Sequence, residues 1–307
     1  MMHCANCNIP ENNDIKLKTC TACKSVRYCS IKCQKVHRPK HKKFCKKRAA
    51  ELHDEILFKR PESSEMGDCP ICCLPIPLEV EKFRVMVCCS KVVCLGCDYA
   101  NQIRKMKDNC KIYLCPFCRH RTPNTQAESD RSEMKRLEVN DPLALKRMGW
   151  TQHEMGNFDT AFDCYTRAAK KGDADAHFHL SGMYWFGQSV EKDEKMKVHH
   201  LEQASILGHV KARYNLGIHE WNLWVNHKVE GSSRRAMKHF LISSGHGCDR
   251  SLNFIKTGYE HGMATKEEYA AALRAHKDAV DAMKSPQRDE AEKALRDRTF
   301  IPAFVPK

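Results

Sequence analysis

The stretch Tyr28-Cys29-Ser30-Ile31-Lys32-Cys33-Gln34-Lys35-Val36-His37-Arg38-Pro39-Lys40-His41-Lys42-Lys43-Phe44-Cys45 decides how the front of this chain folds. It contains two pairs of metal-ligating side chains, Cys29/Cys33 and His41/Cys45, each separated by three residues. Working outward, Cys4-x-x-Cys7 and Cys20-x-x-Cys23 precede it, which makes eight ligands in four pairs. Two closely spaced ligands grip one side of a Zn²⁺ tetrahedron, and a second pair from elsewhere closes it. Four pairs therefore make two closed sites with no vacant position, so the metal expected here is structural. The segment holds too few large apolar residues to fold by burial alone. Zinc would supply the missing free energy, on the order of 10–16 kcal/mol per site in zinc-finger peptides.

Of the 19 cysteines in 307 residues, seventeen lie between Cys4 and Cys118, leaving only Cys164 and Cys248 in the back. The net charge of +14 is as uneven: residues 1–60 carry 15 Lys/Arg against 5 Asp/Glu, while the rest is nearly neutral. A globally basic, histone-like protein is excluded. The start Met1-Met2-His3-Cys4 has no charged region leading into an apolar stretch, so no secretory signal is expected. No run of 18 apolar residues predicts a membrane span. Without secretion, dense cysteines point to metal rather than disulfides. The expected setting is intracellular, cytoplasm or nucleus.

The spacing from Cys4 to Cys45, with Gln34, His37 and His41 in their places, closely resembles the MYND-type zinc finger. The resemblance implies interleaved ligation: Cys4, Cys7, Cys29 and Cys33 on one zinc, Cys20, Cys23, His41 and Cys45 on the other. It also implies binding of proline-containing peptides near Gln34. The family usually carries Trp after His37, and Arg38 stands there instead. His3, His37 and His53 are left without a role, since the eight ligands are complete. The run from Lys40 to Arg48 reads as the solvated face of a short closing helix, and nucleic acid is not an expected partner.

A second cluster reads Cys69-Pro70-Ile71-Cys72, Cys88-Cys89, Cys94-Leu95-Gly96-Cys97 and Cys115-Pro116-Phe117-Cys118-Arg119. It looks like a RING finger. The resemblance implies one zinc on Cys69, Cys72, Cys94 and Cys97, and another on Cys88, Cys89, Cys115 and Cys118. It further implies a ubiquitin-conjugating enzyme as partner, with Ile71 and Arg119 at the contact positions. The usual Cys-x-His is missing, because Cys89-Ser90-Lys91 stands there and an ammonium cannot be a ligand. Adjacent cysteines reach one metal awkwardly, so Cys110 or His120 is an alternative ligand. Cys73 and Cys110 otherwise read as spare buried thiols.

From Asp141 the pattern turns helical and repeats. Ala168-Ala169-Lys170-Lys171-Gly172-x-x-x-Ala176 recurs as Ala204-Ser205-Ile206-Leu207-Gly208-x-x-x-Ala212, and more weakly as Ser243-Ser244-Gly245-His246-Gly247-x-x-x-Ser251. Glycine spacings of 36 and 39, with small residues at fixed offsets, mark stacked helix–turn–helix units. Met148-Gly149, Gly156, Phe158, Ala161, Tyr165 and Ala168 resemble a tetratricopeptide repeat. Ala176, Leu180, Tyr184, Gly187, Val190, Asp193 and Gly208 resemble its relative, the Sel-like repeat. Thr265-x-x-Glu268 is a capping box for a helix to about Met283, and Ser285-Pro286 starts another, followed by a loose tail from Phe300. Tyr184, Trp185, Trp221 and Trp224 are candidates for a concave groove or for the core. The pairs His177/His179 and His199/His200 read as surface residues.

The expected fold is two small zinc-stabilised modules, MYND-like and RING-like, ahead of an all-α helical-repeat solenoid. The expected divisions are 1–46 (first finger), 47–67 (helical linker), 68–121 (second finger), 122–140 (linker), 141–284 (repeats) and 285–307 (C-terminal helix and tail). No nucleophile–base pair, phosphate loop or open metal site is present, so no catalytic residue is assigned. The expected function is a zinc-binding protein-interaction scaffold with two zincs per finger. Its sharper form is a RING-type ubiquitin ligase, and the alternative is a non-catalytic adaptor or chromatin-associated regulator.

Overall fold

The structure, a computed structural model, describes residues 2–108 and 113–299. Cys110 and the tail from Phe300 lie outside the described residues. The chain forms two compact units, Met1–Lys59 and Arg60–Lys307.

In the first unit, β1 (Lys18–Thr19) pairs antiparallel with β2 (Arg27–Tyr28), and α1 (Ile31–Leu57) follows. Ser30 caps α1, its hydroxyl accepting from the Cys33 amide at 3.2 Å. The buried apolar cluster is Leu17 and Tyr28 among Cys4, Cys20 and Cys23, so thiols take the place of a conventional core. The closing helix is not short. It runs through Pro39 and continues without a break into the segment expected to be a separate linker helix. Ala49, Ala50 and Leu52 favour helix, and no glycine interrupts the run after Pro39.

The second unit opens with the hairpin β3 (Phe83–Met86) and β4 (Lys91–Cys94), then α2 (Leu95–Lys107) and α3 (Gln126–Glu138). Antiparallel helix pairs follow: α4 (Pro142–Glu154) with α5 (Phe158–Ala169), α6 (Ala174–Phe186) with α7 (Glu194–Ile206), α8 (Val210–His227) with α9 (Ser232–Ser244), and α10 (Asp249–Glu260) with α11 (Lys266–Ala282). Helix α12 (Pro286–Arg296) turns back and packs on α2, burying Leu95, Ala291 and Ala294. The second finger and the repeats thus share one compact unit, tied by the C-terminal helix.

The repeated glycines sit between hairpins with φ of +84° at Gly172, +92° at Gly208 and +87° at Gly247, a region that L side chains rarely adopt. Gly208 also admits a second segment: a Cβ there would lie 2.8 Å from the Ser63 carbonyl oxygen. Residues 60–67 are accordingly no free linker. The Arg60 guanidinium donates to Gly245 O at 2.8 Å, the Glu65 amide donates to Gly208 O at 3.1 Å, and the Glu65 carboxylate accepts from the Val210 amide at 3.1 Å.

That contact opens onto a buried ion network. His209 Nδ1 caps α8 by accepting from the Ala212 amide, which leaves Nε2–H to donate to Asp175 at 2.9 Å. Lys146 pairs with the same carboxylate. Burial would raise the Asp175 carboxyl, but Lys146 and His209 hold it well below the usual carboxylate range. Glu65, Asp175 and His209 place three ligand-type atoms together, yet the Lys146 ammonium already supplies the cation.

The histidines expected at the surface are in part internal. His179 stacks on buried Tyr165 at 4.7 Å, and His177 meets His200 Nδ1-to-Nδ1 at 3.0 Å, while His199 alone of the four is exposed. The small residue that lets each hairpin close is legible at Gly217, where a Cβ would come 2.4 Å from Phe240 Cε1. Gly182, one hairpin earlier, has nothing within 4 Å.

Gly217→Ala is therefore expected to destabilise the repeats by about 1–3 kcal/mol through overpacking. Gly182→Ala should be neutral or stabilising, because alanine is the better helix former by about 1 kcal/mol. Paired thermal melts check this, and equal melting temperatures for the two variants would contradict the packing. A second expectation concerns acid. Burial pulls His179, His200 and His246 each down to about 4. Their folded pKa values lie below the unfolded value, so the stability they contribute is complete above about pH 6.5 and is lost as pH falls toward 4. All four tryptophans lie between Trp150 and Trp224. Urea midpoints followed by their fluorescence should drop from about pH 7 to about pH 5, and His179→Phe should flatten that drop.

Candidate metal centres

Four of the five Cys-x-x-Cys pairs fold as the same small hairpin, and the fifth, Cys94/Cys97, opens α2 with Cys94 at its cap. The amide four residues after the first cysteine donates back to that cysteine's carbonyl: Asn8 to Cys4, Lys24 to Cys20, Cys73 to Cys69 and Arg119 to Cys115, at 2.8–3.0 Å. The donating residue has positive φ every time, between 56° and 61°. Isolated bridges His3–Pro10, Asp68–Pro75 and Leu114–Arg121 close three of these hairpins. This geometry aims backbone N–H groups at the first sulfur. Burial alone would raise the Cys4 thiol, but the amides of Cys7, Cys29 and Asn6 bring it down to about 6. Cys20 reaches about 6 in the same way, against burial, with the Cys23 amide leading and His41 adding to it. At Cys115 the contact with Cys88 leads, the amides of Cys118 and Phe117 assist, and the thiol falls to about 5. The hairpin favours thiolate, the form that binds metal.

Tertiary folding brings the sixteen side chains together as four groups of four. They are Cys4, Cys7, Cys29 and Cys33; Cys20, Cys23, His41 and Cys45; Cys69, Cys72, Cys94 and Cys97; and Cys88, Cys89, Cys115 and Cys118. Within each group all ligand atoms lie within 4.8 Å of one another. Sulfur–sulfur separations are 3.5 Å for Cys7–Cys29, 3.8 Å for Cys20–Cys45, 3.7 Å for Cys72–Cys94 and 3.5 Å for Cys88–Cys118. Cys23 Sγ stands 3.3 Å from His41 Nε2. A tetrahedron with zinc–sulfur bonds of about 2.3 Å has edges of about 3.8 Å, whereas a disulfide needs about 2.05 Å. The residues fit zinc and do not fit disulfides.

The awkward pair Cys88-Cys89 has a simple local explanation that sequence reading missed. The β3–β4 turn is another copy of the hairpin, closed by Ser90 N–H donating to Met86 O at 2.8 Å, with Ser90 at φ +52°. Met86 fills the place of the first cysteine, Cys89 that of the second, and Cys88 turns its sulfur to the same group. The signal in the sequence was the register of the residues around Cys89 rather than the cysteines themselves. His120 is exposed and lends only its carbonyl to the Cys115 amide. Lys91, where a ligand was sought, lies over the Phe117 ring at 5.9 Å. Cys73 is corrected: it occupies a positive-φ position and is exposed, because the hairpin turns its side chain away from the group it follows.

The other expected site residues are accessible. Ile71 is 42% exposed, and Phe117, Arg119 and Gln34 are exposed as well. In the repeats, a groove of about 610 Å³ is lined by Phe178, Trp185, Leu201, Ile218, His219 and Leu223 among others. Of the four candidate aromatics, Trp185 lines it, with Lys197 Nζ 4.0 Å from its ring, whereas Trp221 packs against Trp224 and Phe254. No described helix is long and apolar enough to cross a membrane.

Residues 4–45 match the family model described as the MYND finger. An uncharacterized protein of Neisseria meningitidis serogroup B is 26% identical over 152 residues, covering 40% of this chain and 32% of that protein. The chain thus spans about a third of the length of the curated relative it matches. Among solved structures, a Sel1 repeat protein from Oxalobacter formigenes is similar at 16% identity and TM-score 0.43, covering 66% of this chain and 86% of that one. A protective antigen of uropathogenic Escherichia coli displaying an SLR fold is similar at 18% identity and TM-score 0.39, covering 61% and 39%. The helical-repeat architecture here rests on the chain's own helix pairing. The protein is a zinc-finger protein with a helical-repeat body.

Metal analysis of the purified protein is expected to find close to four zincs per chain. Cys89→Ser should remove about one of them. A wild-type value near two would show that the second finger holds none.

Proposed function

We propose that this protein is an intracellular interaction scaffold whose RING-like finger engages a ubiquitin-conjugating enzyme while the repeats or the MYND finger recruit the target. The observation that carries the reading is the exposure of Ile71, Phe117 and Arg119 on hairpins whose first ligands, Cys69 and Cys115, are buried. A half-exposed isoleucine contributes nothing to the finger's own core, and apolar side chains of this kind anchor partner surfaces. The groove around Trp185 supplies a concave, largely apolar seat for a protein segment, and exposed Gln34 marks a second seat for a proline-containing peptide. Fifteen reduced thiols in the sixteen ligand positions suit an intracellular setting.

A second reading, a non-catalytic adaptor, is favoured by α12, which packs along α2 and covers the flank bearing Leu95 and Tyr99. In-vitro ubiquitination separates the two. Chains from the wild type, reduced at least about tenfold by Ile71→Ala or Arg119→Ala, the loss of ~1.4 kcal/mol of contact, are expected for the ligase. No chains from the wild type across a broad panel of conjugating enzymes would leave the adaptor.

A further inference from the structure

We infer that Arg288, on the C-terminal helix, is a working part of the RING-like finger's first zinc site and that retention of zinc there depends on it. Arg288 is 5% exposed, an unusual place for a guanidinium, and its surroundings are those of the metal group. Nη2 donates to Cys72 Sγ at 3.5 Å and to Leu74 O at 3.2 Å. Nη1 donates to Pro75 O at 2.7 Å and to Met283 O at 2.7 Å. The carbonyls of Leu74 and Pro75 belong to the return strand of the Cys69–Cys72 hairpin. That same Leu74 carbonyl accepts from the Cys69 amide at 2.9 Å. One side chain therefore holds both the second thiolate of the hairpin and the strand that shapes it.

The opposite ligand pair of the same zinc group, at the start of α2, makes room for it. In Cys94-Leu95-Gly96-Cys97 a Cβ on Gly96 would fall 2.9 Å from Arg288 Cγ and 3.0 Å from its Cα. Gly96 lies within α2 and carries no positive φ, so the backbone itself has no need of glycine there. Its lack of a side chain is explained by the approach of Arg288. Arg288 thus touches both halves of the group, its guanidinium on the Cys69–Cys72 hairpin and its Cα and Cγ against Gly96.

The physical consequence is twofold. Four thiolates around Zn²⁺ carry a formal net charge of about −2, and a buried cation against one sulfur offsets it. Hydrogen bonds to a ligating sulfur also fix its orientation, and loss of such outer partners costs about 10–100-fold in metal affinity. No comparable cation reaches a sulfur of the other three groups among the hydrogen bonds of the described residues. The dependence on Arg288 should therefore fall on one zinc in four.

The test is release of zinc from the full-length, zinc-loaded protein to an excess of a chromogenic chelator. Arg288→Ala is expected to release one equivalent about 10–100-fold faster than the wild type, with the remaining equivalents unchanged. Gly96→Ala should accelerate the same equivalent by displacing the guanidinium, and the double variant should be no faster than Arg288→Ala alone. Wild-type release from Arg288→Ala, or effects of the two substitutions that simply multiply, would overturn the inference. If Arg288→Ala loses helical circular dichroism, Arg288→Lys decides. Selective acceleration of one equivalent supports the inference, and uniform or unchanged release refutes it.

Discussion

A Cys-x-x-Cys hairpin provides only two corners of a tetrahedron, so every metal group in this chain must be completed by a second segment. That requirement organises the front of the protein. Cys4 and Cys7 need Cys29 and Cys33, while Cys20 and Cys23 need His41 and Cys45, so the two groups interlock and neither half of the finger folds without the other. The apolar cluster is small, and sulfur occupies much of it. Helix α1 carries Cys33, His41 and Cys45, with Cys29 just ahead of its cap, which makes that helix the closing element of both groups.

The same requirement holds in the second finger, but there burial contributes more. Ile76, Met86 and Val93 pack among the thiols, and Met86 stands where a further cysteine would complete the hairpin pattern. The chain keeps the hairpin's backbone form and shifts the ligand by two residues, from Met86 to Cys88. Packing by α12 then joins this finger to the repeats, with Arg288 set between the Cys69–Cys72 hairpin and the first turn of α2. A finger that shares a helix and a buried charge with the scaffold transmits strain to it, because packed interiors have little slack.

The repeats follow a different constraint. Each hairpin needs a small residue where its helices cross, seen at Gly217 under Phe240, and a positive-φ glycine before the next hairpin. The turn at Gly208 also takes in the backbone of residues 63–65, and Glu65 then meets His209, Asp175 and Lys146 in one buried network. The network is satisfied internally: His209 spends one nitrogen on the α8 cap and the other on Asp175. The concave groove is lined by Trp185, which is half exposed and meets Lys197 Nζ over its ring.

Much of this was legible in the residues alone. Ligand spacing named fourteen of the sixteen side chains that meet in the four groups, because a short chelating hairpin has only one or two workable spacings, while Cys88 and Cys89 came from the resemblance to the RING finger. The glycine period located the turns between hairpins, because only glycine adopts that backbone region without cost. What spacing could not supply was everything that depends on distant segments arriving at one place. Cys73 and Cys72 are neighbours in sequence, yet a positive φ sends one outward and the other to the metal group. His177 and His179 read as polar surface, and ring contacts with His200 and Tyr165 from adjacent helices partly bury them. Residues 60–67 read as a linker until Gly208 receives them. Arg288 carries no local signal of this role, since its partners in the finger lie more than two hundred residues earlier and only the packing of α12 on α2 brings them within a hydrogen bond.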